Sequence, residues 1–170
     1  MDYKELIRDV PDYPKKGILF KDLTTLWKDG NAFKKSAEDL ADYYKGKNIS
    51  KVVGIESRGF IIGSALAYIL NIGFVPVRKE GKLPAEVIKK TYELEYGTDT
   101  LVIHKDAISQ GEKVIIVDDL LATGGTCQAV TSLVEELGGV VEGVGFIVEL
   151  SFLEGRKKLE QYDIKTLITY

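Results

Sequence analysis

Apolar positions along this chain alternate between short unbroken runs and helical stripes. The first 30 residues are irregular, with Pro11, Pro14 and Gly17 punctuating a short strand candidate at Ile18 to Phe20. Phe33, Ala37, Leu40, Ala41 and Tyr44 then recur at the 3.6-residue period and predict a helix over Asn31 to Tyr44, ended by Gly46. Lys51 to Ile55 reads as a strand, Glu56-Ser57-Arg58-Gly59 as a loop and Phe60 to Leu70 as a helix. That helix is apolar almost all round, which predicts burial on several sides and a place at a subunit interface. Phe74 to Arg78 is the next strand, and Pro76 within it predicts an edge position or a bulge.

A less regular stretch, Lys79 to Asp106, follows. Alternation in Tyr92-Glu93-Leu94-Glu95 and in Thr100-Leu101-Val102-Ile103 predicts a two-stranded excursion there. Lys113 to Leu137 forms a second strand–loop–helix unit, with Val130, Leu133, Val134 and Leu137 as its stripe and Gly138-Gly139 closing it. Val140 to Leu150 and Leu167 to Thr169 are the remaining strands. Strands alternating with helices predict an α/β fold, a three-layer arrangement around a parallel sheet, in which ligands sit at the carboxyl ends of the strands. The loops after Ile55 and after Val117 both lie there.

Composition narrows the picture. The 170 residues are expected to form a single domain, 1–170, and 45% hydrophobic with 29% charged residues is an ordinary globular balance. A formal net charge of -3 argues against nucleic-acid or anionic-membrane binding, so any anion site must be a local concentration of positive charge. No apolar run reaches the ~20 residues of a membrane span, and the N-terminus has no signal-peptide pattern. With one cysteine, Cys127, and one histidine, His104, a zinc site is not expected and a reducing cytoplasm fits. Cys127 is read as a small packing residue, His104 as solvated, and Trp27 as core.

Candidate chemistry concentrates in Val114 to Thr126. Four β-favouring residues lead into Asp118 and Asp119, and then into a turn containing Thr123, Gly124, Gly125 and Thr126 that opens a helix. Backbone N–H groups converging at a helix N-terminus bind anions, since they lack acceptors and the helix dipole is positive there. Two carboxylates beside such a loop suit a ligand with phosphate and vicinal hydroxyls, a phosphorylated sugar. There is no Walker motif, and Gly143-x-Gly145 lies inside a strand pattern with Val148 in place of a third glycine.

Val114 to Thr126 resembles the phosphoribosyl-pyrophosphate (PRPP) signature of the type I phosphoribosyltransferase family. Pro14 to Asp22 resembles the N-terminal hood of that family's adenine-using branch, and Glu56 to Phe60 its pyrophosphate loop. Arg78 to Pro84 and Leu94 to Gly97 resemble its mobile active-site loop. The matches run in order from about residue 10 to residue 155. The resemblance implies a type I phosphoribosyltransferase fold with a hood at about 1–30 and a mobile loop at about 79–106. It also implies a cytoplasmic purine-salvage enzyme that makes AMP and pyrophosphate from adenine and PRPP with Mg²⁺, as a homodimer. An enzyme of the same family taking hypoxanthine, guanine or xanthine, and a PRPP-sensing regulator without catalysis, are the other readings.

The roles implied by resemblance are specific. Asp118 and Asp119 accept hydrogen bonds from the ribose hydroxyls, as ionised carboxylates can. Ala122, Thr123, Gly124, Gly125 and Thr126 hold the 5-phosphate. A non-proline cis peptide falls between Glu56 and Ser57, and Ser57 and Arg58 face the pyrophosphate, where a guanidinium fork is well suited. Arg78, Lys79 or Lys82 reach the pyrophosphate, in one arrangement that of the neighbouring subunit. Glu95 handles the purine proton and Tyr96 packs beside it. The main chain of Leu19, Phe20 and Lys21 reads adenine, with Lys21 standing where the family commonly has arginine. No protein metal ligand is implied, Mg²⁺ being held mainly by PRPP and water.

Overall fold

A computed structural model of the chain describes residues 1–94 and 97–170. Strands β1 (Arg8–Pro11) and β2 (Leu19–Asp22) form a small antiparallel pair ahead of the short helix α1 (Thr24–Trp27). Then come α2 (Gly30–Tyr44), β3 (Lys51–Ile55), α3 (Gly59–Leu70), β4 (Gly73–Lys79), β5 (Val87–Glu93) and β6 (Thr98–His104). The chain continues through β7 (Lys113–Leu121), α4 (Gly125–Glu136), β8 (Val140–Glu149) and β9 (Ile164–Thr169). Strands β5 to β9 join β3 and β4 in a seven-stranded sheet of order β5-β6-β4-β3-β7-β8-β9. It is parallel from β4 to β9, and β5 and β6 extend it antiparallel as the expected excursion.

The layers follow from alternation along β7, whose Val114 to Val117 are all fully buried. Ile115 and Val117 face one core, with Leu40 of α2 and Ile62 and Leu66 of α3. Val114 and Ile116 face the other, with Val130, Leu133 and Val134 of α4. Period-two side chains sandwiched by helices on both faces define the three layers. Cys127 and Trp27 join these cores as expected, the thiol pushed up in pKa by burial.

Caps explain the boundaries. The Asp29 carboxylate accepts from the N–H groups of Asn31 and Ala32, so α2 starts at Gly30, one residue before the expected Asn31. At the far end of α4 the left-handed Gly138, φ +84°, closes the helix. Gly143 and Gly145 have a packing role: a Cβ at either would lie 3.0–3.3 Å from the Tyr44 side chain. Pro76 sits on β4 before its pairing with β6 begins at Arg78, so the missing N–H falls where one side of the strand is unpaired.

Three expectations need correction. β7 does not stop at Val117 but stays paired with β8 to Leu121, so the two acids lie within a strand. His104 is partly buried, and its Nε2 lacks a hydrogen-bond partner, because the β5–β6 pairing covers it. Within this chain α3 packs on the sheet and against α2 but is not buried all round, leaving Ile61, Tyr68 and Ile69 exposed.

Candidate active site

The carboxyl ends of β3 and β7, the two central strands, place the candidate residues side by side. β3 runs into a cis peptide between Glu56 and Ser57, and α3 starts two residues later. Its first residue, Gly59, lies so close to β7 that a Cβ there would be 2.8 Å from the Val117 carbonyl oxygen and 2.9 Å from Asp118 Oδ1. That closeness brings Arg58 over the acids, with Nε 3.0 Å from Asp119 Oδ2. Asp118 Oδ1 in turn accepts the backbone N–H of Asp119 at 2.8 Å.

Burial pushes the Asp118 carboxyl well above the usual carboxylate range, and the charge of Asp119 adds to it. Burial also raises Asp119, while the Arg58 guanidinium pulls it back. The expectation of two freely ionised acids is therefore modified: the pair resists carrying two charges, and Arg58 favours ionisation at Asp119.

Beyond the acids, Ala122, Thr123, Gly124 and Thr126 line a cavity of about 80 Å³ together with Asp118, Leu120, Leu121, Cys127 and Phe146. Gly124 has φ +78°, a turn that allows α4 to begin at Gly125 with its first N–H groups unpaired by the helix. The Thr126 hydroxyl donates to Tyr92 Oη of β5 at 3.3 Å, tying the hairpin to this loop.

On the other side of Arg58 the guanidinium carbon lies 5.4 Å from the centre of the Phe20 ring. Val10, Tyr13, Phe20, Asp22, Thr24 and Arg58 line a cleft of about 350 Å³. Asp22 within it is held down to about 2 by hydrogen bonds from Thr24 and Arg8. Leu19 and Lys21 flank Phe20 on β2 without lining the cleft. The Lys21 ammonium is 2.6 Å from Asp9 Oδ1 and packs over the Tyr170 ring, so its side chain is committed elsewhere.

The basic residues converge on Glu56. Its carboxylate accepts from Lys82 Nζ at 2.8 Å, the Lys79 backbone N–H at 2.7 Å and Arg78 Nη2 at 3.3 Å. Burial alone raises this acid, yet those partners together outweigh it and hold Glu56 at about 2. The Lys79 ammonium pairs instead with Asp99 at 3.0 Å. Ser57 is exposed at the loop tip. Glu95 and Tyr96 lie outside the described residues. Among the described residues no group of three or more His, Cys, Asp or Glu side chains could hold a metal ion. No helix among them is long and apolar enough to cross a membrane.

Sequence reasoning did not single out Glu56, Gly59, Tyr92 or Asp22 as site residues. Glu56 and Gly59 stood inside a motif already noted. Asp22 likewise closed the noted hood stretch, while Tyr92 was read only as a strand residue because its partner Thr126 lies 34 residues away.

A central parallel sheet with a glycine-containing loop opening a helix, paired acids and an arginine at its carboxyl edge is the arrangement expected of a phosphoribosyl transferase domain, and that domain family matches residues 27–168. The chain is 56% identical to the adenine phosphoribosyltransferase of Halothermothrix orenii over 168 residues, 99% of each chain. Its structure is similar to that of the Thermoanaerobacter pseudethanolicus adenine phosphoribosyltransferase, with TM-score 0.96, 56% identity and coverage of 99% of this chain and 98% of that one. The Saccharomyces cerevisiae enzyme, solved with D-2,5-dideoxy-2,5-imino-altritol 1,6-bisphosphate and adenine, aligns with TM-score 0.92 and 44% identity, covering 98% and 96%. The chain belongs to the phosphoribosyl transferase family, in its adenine phosphoribosyltransferase branch.

Proposed function

We propose that this protein transfers the 5-phosphoribosyl group of PRPP to adenine, releasing AMP and pyrophosphate. The observation that carries the reading is a continuous track: small-anion cavity, paired acids, Arg58, then the Phe20 cleft. It matches the order phosphate, ribose, reacting carbon, base. The yeast relative's complex with adenine and a bisphosphate sugar analogue supports it.

In this reading the loop from Ala122 to Thr126 holds the 5-phosphate with backbone N–H groups and hydroxyls. Asp118 and Asp119 hold the ribose hydroxyls, and Arg58 leaves Asp119 to meet developing charge. Phe20 stacks on the purine, and the Leu19–Lys21 main chain reads its edge. The bond from the anomeric carbon to pyrophosphate breaks as the bond to N9 forms, through an oxocarbenium-like transition state, and Glu95 takes the N9 proton. Arg78, Lys79, Lys82 and Ser57 receive the leaving pyrophosphate.

Mg²⁺ arrives as part of the substrate, bound to PRPP and water, which suits a site whose acids are shared with Arg58. The segment at about 79–106 closes over PRPP to exclude water, and residues 1–30 form the hood of a single domain. The exposed apolar residues Ile61, Tyr68 and Ile69 of α3 fit a homodimer contact. The setting is cytoplasmic purine salvage. A competition assay with adenine, hypoxanthine and guanine at equal PRPP and Mg²⁺ tests the proposal. AMP as the dominant product is expected, and product from guanine or hypoxanthine but not adenine overturns it.

A further inference from the structure

The small-anion loop is not held only by its own turn. Behind it lies the short helical turn Gly155–Leu159, and the two meet backbone to backbone. A Cβ on Gly155 would stand 2.1 Å from the Ala122 carbonyl oxygen and 2.9 Å from the Gly124 nitrogen. A Cβ on Gly124 would stand 2.5 Å from the Gly155 carbonyl oxygen. With no side chain between them to yield, a displacement of one segment is passed directly to the other.

The turn is anchored by an ion pair away from the site. Arg156 donates from Nε to Glu149 Oε1 at 3.0 Å and from Nη2 to Oε2 at 2.6 Å, a two-pronged pair that fixes angle as well as distance. Glu149, 6% exposed, is the last residue of β8, and Thr166 of β9 donates to its Oε2 at 3.1 Å. β8 pairs Glu149 with Leu121, the residue just before the loop. The fully buried Leu159 fixes the far end of the turn.

We infer that Glu149 and Arg156 are positioning residues for ribose 5-phosphate binding, acting through Gly155 on the backbone of Ala122 to Gly124. The inference rests on the reading that this loop holds the 5-phosphate. The pair lines neither the loop's cavity nor the Phe20 cleft. It sets where the loop's N–H groups point, so its loss is felt as weaker capture of PRPP rather than slower chemistry on bound PRPP.

The test is steady-state kinetics on Arg156→Ala, Arg156→Lys and Glu149→Gln, with calorimetric binding of PRPP and a thermal melt for each. Arg156→Ala is expected to raise KM and Kd for PRPP about 10- to 100-fold, on the scale set by ångström-level misplacement of binding groups. KM for adenine and kcat at saturating PRPP should stay within about twofold of wild type. Arg156→Lys keeps a charge against Glu149 and serves as the folded variant if Arg156→Ala does not fold. It lacks the planar fork and should show the same change in smaller degree. Thr126→Val, within the loop, is the reference. If Thr126→Val weakens PRPP binding while the folded Arg156 and Glu149 variants bind it normally, the positioning role is overturned. If Thr126→Val also binds PRPP normally, the assignment of the loop falls and takes the positioning role with it. Parallel loss of PRPP binding, adenine binding and melting temperature would show general destabilisation and would likewise overturn it.

Discussion

Replacing Gly59 by alanine adds one methyl group where α3 meets β7. The new Cβ would lie 2.8 Å from the Val117 carbonyl oxygen and 2.9 Å from Asp118 Oδ1, whereas ordinary contact begins at 3.4 Å. Relief requires α3 and β7 to part by about 0.6 Å, and both neighbours are inflexible: one is backbone and the other is bound to the Asp119 N–H. Overpacking of this kind costs about 1–3 kcal/mol, and alanine in a helix returns about 0.5–1 kcal/mol relative to glycine. The net loss of about 0–2.5 kcal/mol should lower Tm by no more than ~10 °C, at about 2–4 °C per kcal/mol for a domain of this size. The same movement separates Arg58 from Asp119 and shifts Asp118, so kcat/KM for PRPP should fall about 10- to 100-fold. Gly30→Ala is the control, since nothing lies within 4 Å of its Cβ position. Steady-state kinetics with varied PRPP, beside a thermal melt, is the assay. Wild-type kcat/KM in Gly59→Ala would refute the argument that this close approach sets the geometry of the acids.

Asp119→Ala removes the proposed ribose ligand and the partner of Arg58; kcat/KM for PRPP should drop by roughly 100-fold or more, measured by pyrophosphate release. Glu56 is held at about 2 in the fold against an ordinary 4.5, so its contribution to stability is complete above about pH 4.5 and disappears as pH falls toward 2. Glu56→Gln should therefore be less stable than wild type at pH 7, with the gap closing between pH 4.5 and 2, as followed by denaturant melts across that range. Glu95→Gln should lower kcat with little change in PRPP binding, and wild-type turnover would remove Glu95 from proton transfer.

Much of the architecture was legible because its signals are local. The stripe ending at Tyr44, the run at Lys51 to Ile55 and the closing glycine at Gly138 each carry their reason within a few residues. β1 was not legible: Arg8-Asp9-Val10-Pro11 has no apolar alternation, and its strand exists only through pairing with β2. The extension of β7 to Leu121 likewise depends on β8. In the site, the residues of the loop and its acids stood together in one motif and are found together in space. The partners of Glu56 were hidden, since Arg78 and Lys82 read as pyrophosphate ligands and only folding brings them to one carboxylate. Gly155 was hidden for the same reason, its importance lying in a carbonyl some thirty residues upstream.

The gathering of Arg78, Lys82 and the Lys79 N–H around Glu56 also bears on which solutes can reach these groups. Glu56 is tethered to the same fold, so it competes at an effective concentration far above that of a free monovalent ion. A ligand must present several negative oxygens at once to replace a carboxylate that already satisfies three donors. On the proposed reading the internal anion acts as a threshold, which a pyrophosphate-bearing substrate is expected to pass and ordinary electrolytes are not.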